Sequence, residues 1–217
     1  MYKLSHLTKV KPKVVRLAVI GGEAVGKTQF IETMTSHWIT AFLLSLWGPP
    51  AEGSAAYNAQ RTPGVKIKEI VLPGGSVVRV LDMGGQQEFI ASHRPIVITG
   101  FGMYLLVLNL QHGKERMLKS GKYWIRFVIA TRNPAMFQDC PLPPLFVLFS
   151  HADMMASEEA QHLADDVYRC LRGEFHDFFH WMDGNPYVGN CRIPSAHLKR
   201  LLAGLAKAHS EVVEVSE

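Results

Sequence analysis

Apolar and polar residues alternate along this chain with two periods, and the changes from one to the other mark its elements. Val14-Val15-Arg16-Leu17-Ala18-Val19-Ile20 is an apolar run stopped by two glycines, which predicts a buried strand over residues 14–20. Residues 28–46 contain enough apolar positions for a helix, although Thr33, Thr35 and Ser36 lower its propensity, and Gly48-Pro49-Pro50 ends it. Residues 51–61 are small and polar and read as a loop. From Val65 to Val71 the side chains alternate as in a half-exposed strand; Pro73-Gly74-Gly75-Ser76 then turns the chain into a second strand over residues 77–81, giving a hairpin. The continuous apolar runs at 103–108 and 144–149 predict central strands covered on both faces. Between them, a helix is expected within residues 122–137, stopping before Pro134. Behind Ser157-Glu158, residues 159–172 place Leu163, Val167, Cys170 and Leu171 at helical spacing, with Phe175, Phe178, Phe179 and Trp181 following as aromatic packing. A short strand near residues 186–188 precedes Pro194-Ser195, which opens a helix to about residue 208 with Leu198, Leu201, Leu202 and Leu205 as its buried stripe. Strands alternating with helices predict an α/β domain of three layers around a mostly parallel central sheet.

The first strand runs directly into Gly21-Gly22-Glu23-Ala24-Val25-Gly26-Lys27-Thr28. Its glycine spacing and final Gly-Lys-Thr, set between a strand and a helix, match the phosphate-binding P-loop. In such a loop the backbone N–H groups of Gly21, Glu23, Ala24, Val25 and Gly26 surround phosphate oxygens, and the helix N-terminus adds a favourable field. Lys27 is assigned to the β- and γ-phosphates and the Thr28 hydroxyl to magnesium. Asp82, at the end of the apolar run from Val77, is a second group for the magnesium, and Thr62 before the hairpin is a third. Gly85 offers a backbone N–H that senses the γ-phosphate, and Gln86 is the candidate for orienting an attacking water. Ser150-His151-Ala152-Asp153 follows the 144–149 strand. A carboxylate at Asp153 accepts two hydrogen bonds from the N1 and N2 edge of guanine, a donor pair that adenine lacks; a plain helix cap is the alternative role. His151 is placed over a face of the base, and Ser150 is expected to tie this segment to the P-loop.

Composition narrows the setting. A 217-residue chain with 47% hydrophobic and 19% charged residues has material for one α/β core, or as an alternative for two small ones, and is unlike a disordered tail. Its net charge of +4 is compatible with RNA, a ribonucleoprotein or another anionic partner without requiring one. Cys140, Cys170 and Cys191 form neither a disulfide framework nor zinc-site spacing, so a reducing, intracellular and most simply cytoplasmic location is expected. Lys3, Lys9, Lys11, Lys13 and Arg16 precede the first acidic residue, Glu23; this start reads as a contact arm, an organellar targeting segment or a solvated lead-in. No apolar stretch reaches the roughly 18 to 20 residues of a membrane span, and no lipid anchor is evident.

These segments resemble the small Ras-like GTPases, most closely the Roc (Ras of complex proteins) branch, over nearly the whole chain. Gly21 to Thr28 is similar to the first GTPase motif, Thr62 to the switch I threonine, and Asp82-Met83-Gly84-Gly85-Gln86 to the switch II motif. Ser150-His151-Ala152-Asp153 is similar to the guanine motif, whose Roc form often reads Thr-His-x-Asp. The resemblance implies a P-loop NTPase fold, binding of GTP and GDP with magnesium (Mg2+), slow GTP hydrolysis, and partner contacts that differ between the two states. It departs from the usual pattern at Ser150-His151, where Asn-Lys is commoner, and in the last loop, where Asn190-Cys191-Arg192 stands in place of Ser-Ala-Lys. The expected organisation is a basic lead-in over residues 1–13, a GTPase domain over 14–210 and a tail over 211–217. Within the domain, residues 35–61 form an extension that carries Phe42, Leu43, Leu44, Leu46 and Trp47, either core or a surface for a protein effector or assembly partner. A structural adaptor that holds nucleotide without turnover is the different-class alternative.

Overall fold

The computed structural model describes residues 15–35, 65–72, 76–83, 102–131, 142–182, 184–192 and 196–215. In chain order they form β1 (Val15–Ile20), α1 (Lys27–Thr35), β2 (Val65–Val71), β3 (Val77–Met83), β4 (Gly102–Asn109), α2 (Gly113–Thr131), β5 (Pro144–Ser150), α3 (Ser157–Phe175), β6 (His180–Trp181), β7 (Tyr187–Val188) and α4 (Ala196–Val215). The strands make one mixed sheet in the order β2-β3-β1-β4-β5-β6, with β7 also paired to β5. Pairing is parallel except between β2 and β3, which form the hairpin with Val65 opposite Met83 and Val71 opposite Val77.

Period-two alternation along the central strands sorts the core into two layers. Leu17 and Val19 of β1, with Leu105 and Val107 of β4, face one side, where Phe30 and Ile31 of α1 and Leu198, Leu201 and Leu205 of α4 cover them. Ala18, Ile20, Leu106 and Leu108 face the other, under Trp124, Ile125 and Val128 of α2 and Val167, Leu171 and Phe175 of α3. Helices on both faces therefore enclose the sheet in a three-layer α/β arrangement. Burial on both sides explains why β4 and β5 read as unbroken apolar runs. Among the described residues, no helix is long and apolar enough to cross a membrane.

Three helices depart from the expected bounds, and one short strand was not expected. The helix expected within residues 122–137 starts at Gly113, because Asn109 ends β4 by accepting a hydrogen bond from the Gln111 amide and a short 3-10 turn hands the chain straight to α2. Met117 and Gly121 belong to its buried face; the side chain missing at Gly121 interrupts the apolar stripe in sequence while Leu171 fills the space in three dimensions. α3 runs from Ser157 to Phe175, and its buried face is Ala160, Ala164, Val167, Tyr168, Leu171 and Phe175. Cys170, expected in that stripe, is exposed. Phe178 is likewise exposed, whereas Phe175, Phe179 and Trp181 pack as expected, and Trp181 belongs to a strand, β6, that the sequence reading lacked. α4 continues to Val215, since Val212 and Val213 extend its contact with the core beyond residue 208. Of the helix expected over residues 28–46, the described part is α1, and residues 36–46 lie outside the described residues.

Candidate nucleotide site

Parallel strands deliver the ends of β1, β3, β4 and β5 to one edge of the sheet. The order reverses at β1, whose neighbours β3 and β4 lie on opposite sides; such a switch point leaves a crevice beyond the strand ends. The glycine-rich loop occupies it. Gly21 has φ +146°, and a Cβ there would collide with the Val107 carbonyl oxygen, so both torsion and space demand glycine. Gly26 has φ +89° and lies against Cys191, while Ala24 adopts φ +54°, a left-handed conformation uncommon for a residue with a Cβ. The Gly26 carbonyl then accepts the Phe30 amide at 2.9 Å, which starts α1.

Lys27, the first residue of α1, is buried, and its Nζ donates to the Gly21 carbonyl at 2.8 Å and to the Gly22 carbonyl. Burial pushes its pKa down to about 8, against the opposing influence of the Asp82 and Glu23 charges. The ammonium is thus held inside the loop by weak neutral acceptors, a state that a polyphosphate anion improves on. Thr28, next along, donates its hydroxyl to Oδ2 of Asp82 at 2.9 Å. Asp82 reaches this point because β3 pairs in parallel with β1, Val19 opposite Asp82, closing a separation of 54 positions. Among the described residues no group of three or more His, Cys, Asp or Glu side chains gathers to hold a metal. One hydroxyl beside one buried carboxylate fits magnesium, which keeps several waters and takes few protein ligands beside phosphate.

The other half of the candidate site is built from the end of β5 and from residues 189–192 after β7. Ser150 is fully buried, with its hydroxyl 2.8 Å from the Val25 carbonyl, 3.1 Å from the Leu108 carbonyl and 2.9 Å from His151 Nδ1. It ties β5 to the glycine-rich loop, as anticipated, and to β4 as well. His151 is left-handed at φ 59°, ψ 32°, which turns the chain into the 3-10 turn carrying the exposed Asp153. Burial, with the Arg192 charge adding to it and Asp153 opposing, lowers the His151 pKa, which favours the neutral ring. Cys191 is buried against Gly26; desolvation, reinforced by Asp153, pushes its thiol up to about 12. Arg192 is exposed, and its amide donates to Asn190 Oδ1 at 2.8 Å.

Gly21, Glu23, Ala24, Val25, Gly26, Lys27, Thr28, Asp82, Ser150, His151, Asp153, Cys191 and Arg192 therefore gather around the strand ends at this edge of the sheet. Thr62, Gly85 and Gln86 lie outside the described residues, as does the apolar group from Phe42 to Trp47. Two participants escaped the sequence reading. Thr33, counted there only as a poor helix former, donates its hydroxyl to the Cys191 carbonyl at 2.6 Å. His112, in the turn after β4, comes near enough to His151 for that neighbour to add to the lowering of the His112 pKa, whose first cause is burial. Neither relation has a signal in the sequence, since each joins positions far apart in the chain. No protein-family model matches the chain, and a search of curated proteins found no relative.

Proposed function

We propose that the chain is a guanine-nucleotide-binding switch with a P-loop, Ras-like fold of the Roc type, which binds GTP and GDP with magnesium and hydrolyses GTP slowly. The observation that carries this reading is the bond from Ser150 to the Val25 carbonyl. It fastens the segment bearing Asp153 to the phosphate loop, the arrangement needed to read a base and its phosphates together. Lys27 exchanges the Gly21 and Gly22 carbonyls for β- and γ-phosphate oxygens, a charge-assisted contact stronger than the neutral ones it replaces. Thr28 and Asp82 would hold magnesium, with Thr62 joining them by resemblance. When bound, the metal neutralises charge on the phosphate oxygens. Asp153 accepts the paired N1 and N2 donors of guanine, and the neutral His151 ring covers the base. Gln86 orients the attacking water and the Gly85 amide senses the γ-phosphate, both by resemblance. Turnover is slow because no arginine is fixed by sequence to stabilise the transferring phosphoryl group. The state of the γ-phosphate would set the contacts with a protein effector or assembly partner.

Calorimetry with GTP, GDP and ATP in magnesium tests this reading. Guanine nucleotides are expected to bind with at least about tenfold preference, and Asp153→Ala to lose about 1 to 3 kcal/mol of GTP affinity and with it the preference. Equal affinity of the parent protein for GTP and ATP overturns the assignment. Single-turnover hydrolysis by the parent and by Gln86→Leu separates the switch, which slows on substitution, from an adaptor that binds GTP and never cleaves it.

A further inference from the structure

We propose that Thr33 is a positioning residue for base recognition: its hydroxyl latches the Cys191–Arg192 peptide, so that the phosphate-binding helix holds the base-side loop in place. The recognition role rests on the nucleotide reading above, while the latch itself rests on geometry. Thr33 lies less than two turns beyond Lys27 on α1, and its bond to the Cys191 carbonyl spans 158 positions of sequence between two buried residues. The N–H of the same peptide, on Arg192, donates to Asn190 Oδ1. A peptide unit is planar, so bonds at its oxygen and at its nitrogen together fix the orientation of the whole plane. Cys191 adds a steric stop. Its Sγ is 3.4 Å from where a Cβ on Gly26 would stand, and desolvation keeps the thiol protonated, leaving it a packing group rather than a nucleophile.

The neighbouring segment is fastened in parallel. Ser150 bonds to Val25, and the Gly189 amide donates to the Phe149 carbonyl at 3.0 Å, joining the end of β7 to the end of β5. Both base-side segments are therefore secured to Val25, Gly26 and α1, the elements that form the phosphate cradle. Arg192 is kept close enough to His151 for its charge to depress that imidazole's pKa. Threonine is a poor helix former, and a buried position that uses its hydroxyl accounts for one here. Without the donor, the bond at the peptide oxygen is lost and the bond from the Arg192 amide to Asn190 remains.

The test uses full-length protein with Cys140→Ser and Cys170→Ser, so that Cys191 is the single thiol, and compares this parent with Thr33→Val, Thr33→Ser and Asn190→Ala. In nucleotide-free protein, Thr33→Val is expected to label with a thiol reagent at least about tenfold faster than the parent, and Thr33→Ser, which keeps the donor, to label at the parental rate. GDP is expected to dissociate about fivefold faster from Thr33→Val and from Asn190→Ala, whose bond is exposed and whose loss leaves the core intact, while magnesium pyrophosphate binds all variants equally. Weakening of GDP and pyrophosphate by the same factor would make Thr33 an ordinary core residue and overturn the proposal. Labelling of Thr33→Val no faster than the parent overturns the latch. A parent that binds no nucleotide overturns the reading of the site and the recognition role together, and the labelling arm distinguishes that result from a failed latch.

Discussion

Lys27 carries its charge in a place that water hardly reaches, and its pKa near 8 measures how poorly two carbonyls replace hydration. Unfolded, the same lysine titrates near 10.5. Since the folded value is the lower, the charge-burial penalty applies in full below about pH 8 and is relieved as pH rises toward the unfolded value. A polyphosphate restores an opposite charge and raises the pKa, so binding is coupled to proton uptake once the free protein has begun to lose its proton. Near pH 8 the uptake attributable to Lys27 is expected to approach about 0.5 proton per nucleotide, and affinity to decline as pH rises further. Calorimetry of GDP binding in buffers of different ionisation enthalpy reads this directly. Lys27→Arg, whose guanidinium does not titrate in this range, is expected to show none of this uptake even where it binds. An uptake unchanged by Lys27→Arg would assign the proton to another group.

At the scale of elements, α2 and α3 meet through a glycine. A Cβ on Gly121 would stand 2.8 Å from Leu171 Cδ1 and 3.2 Å from Cδ2, closer than packed carbons tolerate, and Leu171 is wholly buried with little room to retreat. Leu171→Ala is expected to cost about 2 to 5 kcal/mol by leaving a cavity. Gly121→Ala alone sets the clash against a helix-propensity gain of about 1 kcal/mol and comes out neutral to destabilising. In the Leu171→Ala background the added methyl enters the cavity and the propensity gain is kept. The double variant is therefore expected to be more stable than the sum of the single effects by about 1 to 3 kcal/mol, as urea unfolding of all four proteins would show. Strict additivity would mean that these two positions do not touch.

At the scale of the whole molecule, four histidines among the described residues couple stability to mild acid. His112, His151, His197 and His209 all have pKa values below the ordinary one, with burial the first cause in each; Arg116, Arg192 and Arg200 add to it at His112, His151 and His197 respectively. An unfolded chain binds protons at these side chains near pH 6.5 while the folded chain resists, so stability falls as pH drops through 6.5 toward the folded values. Asp166 and Glu174, lowered chiefly by hydrogen bonds from Lys114 and Lys122, act in a separate, more acidic window, since their contribution is lost as pH falls from the ordinary carboxylate values through their lowered ones. Tm is expected to decrease between pH 7.5 and 5.5, and the decrease to shrink when His112 and His151 are replaced by Asn. A melting temperature that stays level through this window would mean that the imidazoles charge freely in the folded state.

Local chemistry alone made much of this protein legible. The strand-to-helix glycine loop, the hairpin, the two doubly covered strands and the final leucine stripe follow from period, turn residues and unbroken apolar runs, because each depends on residues a few positions apart. The pairing of Thr28 with Asp82 was also foreseeable, since a P-loop and an acidic strand end constrain each other chemically. Tertiary structure decided what depends on contact between distant positions. Gly121 interrupts a helical stripe in sequence and completes it in space, because Leu171 supplies the missing volume. Cys170 has helical spacing and still points to solvent, since burial depends on which side of α3 meets the sheet. Thr33 weakens a helix when judged by propensity and anchors a loop when seen against Cys191, 158 residues away, a relation that no local pattern encodes.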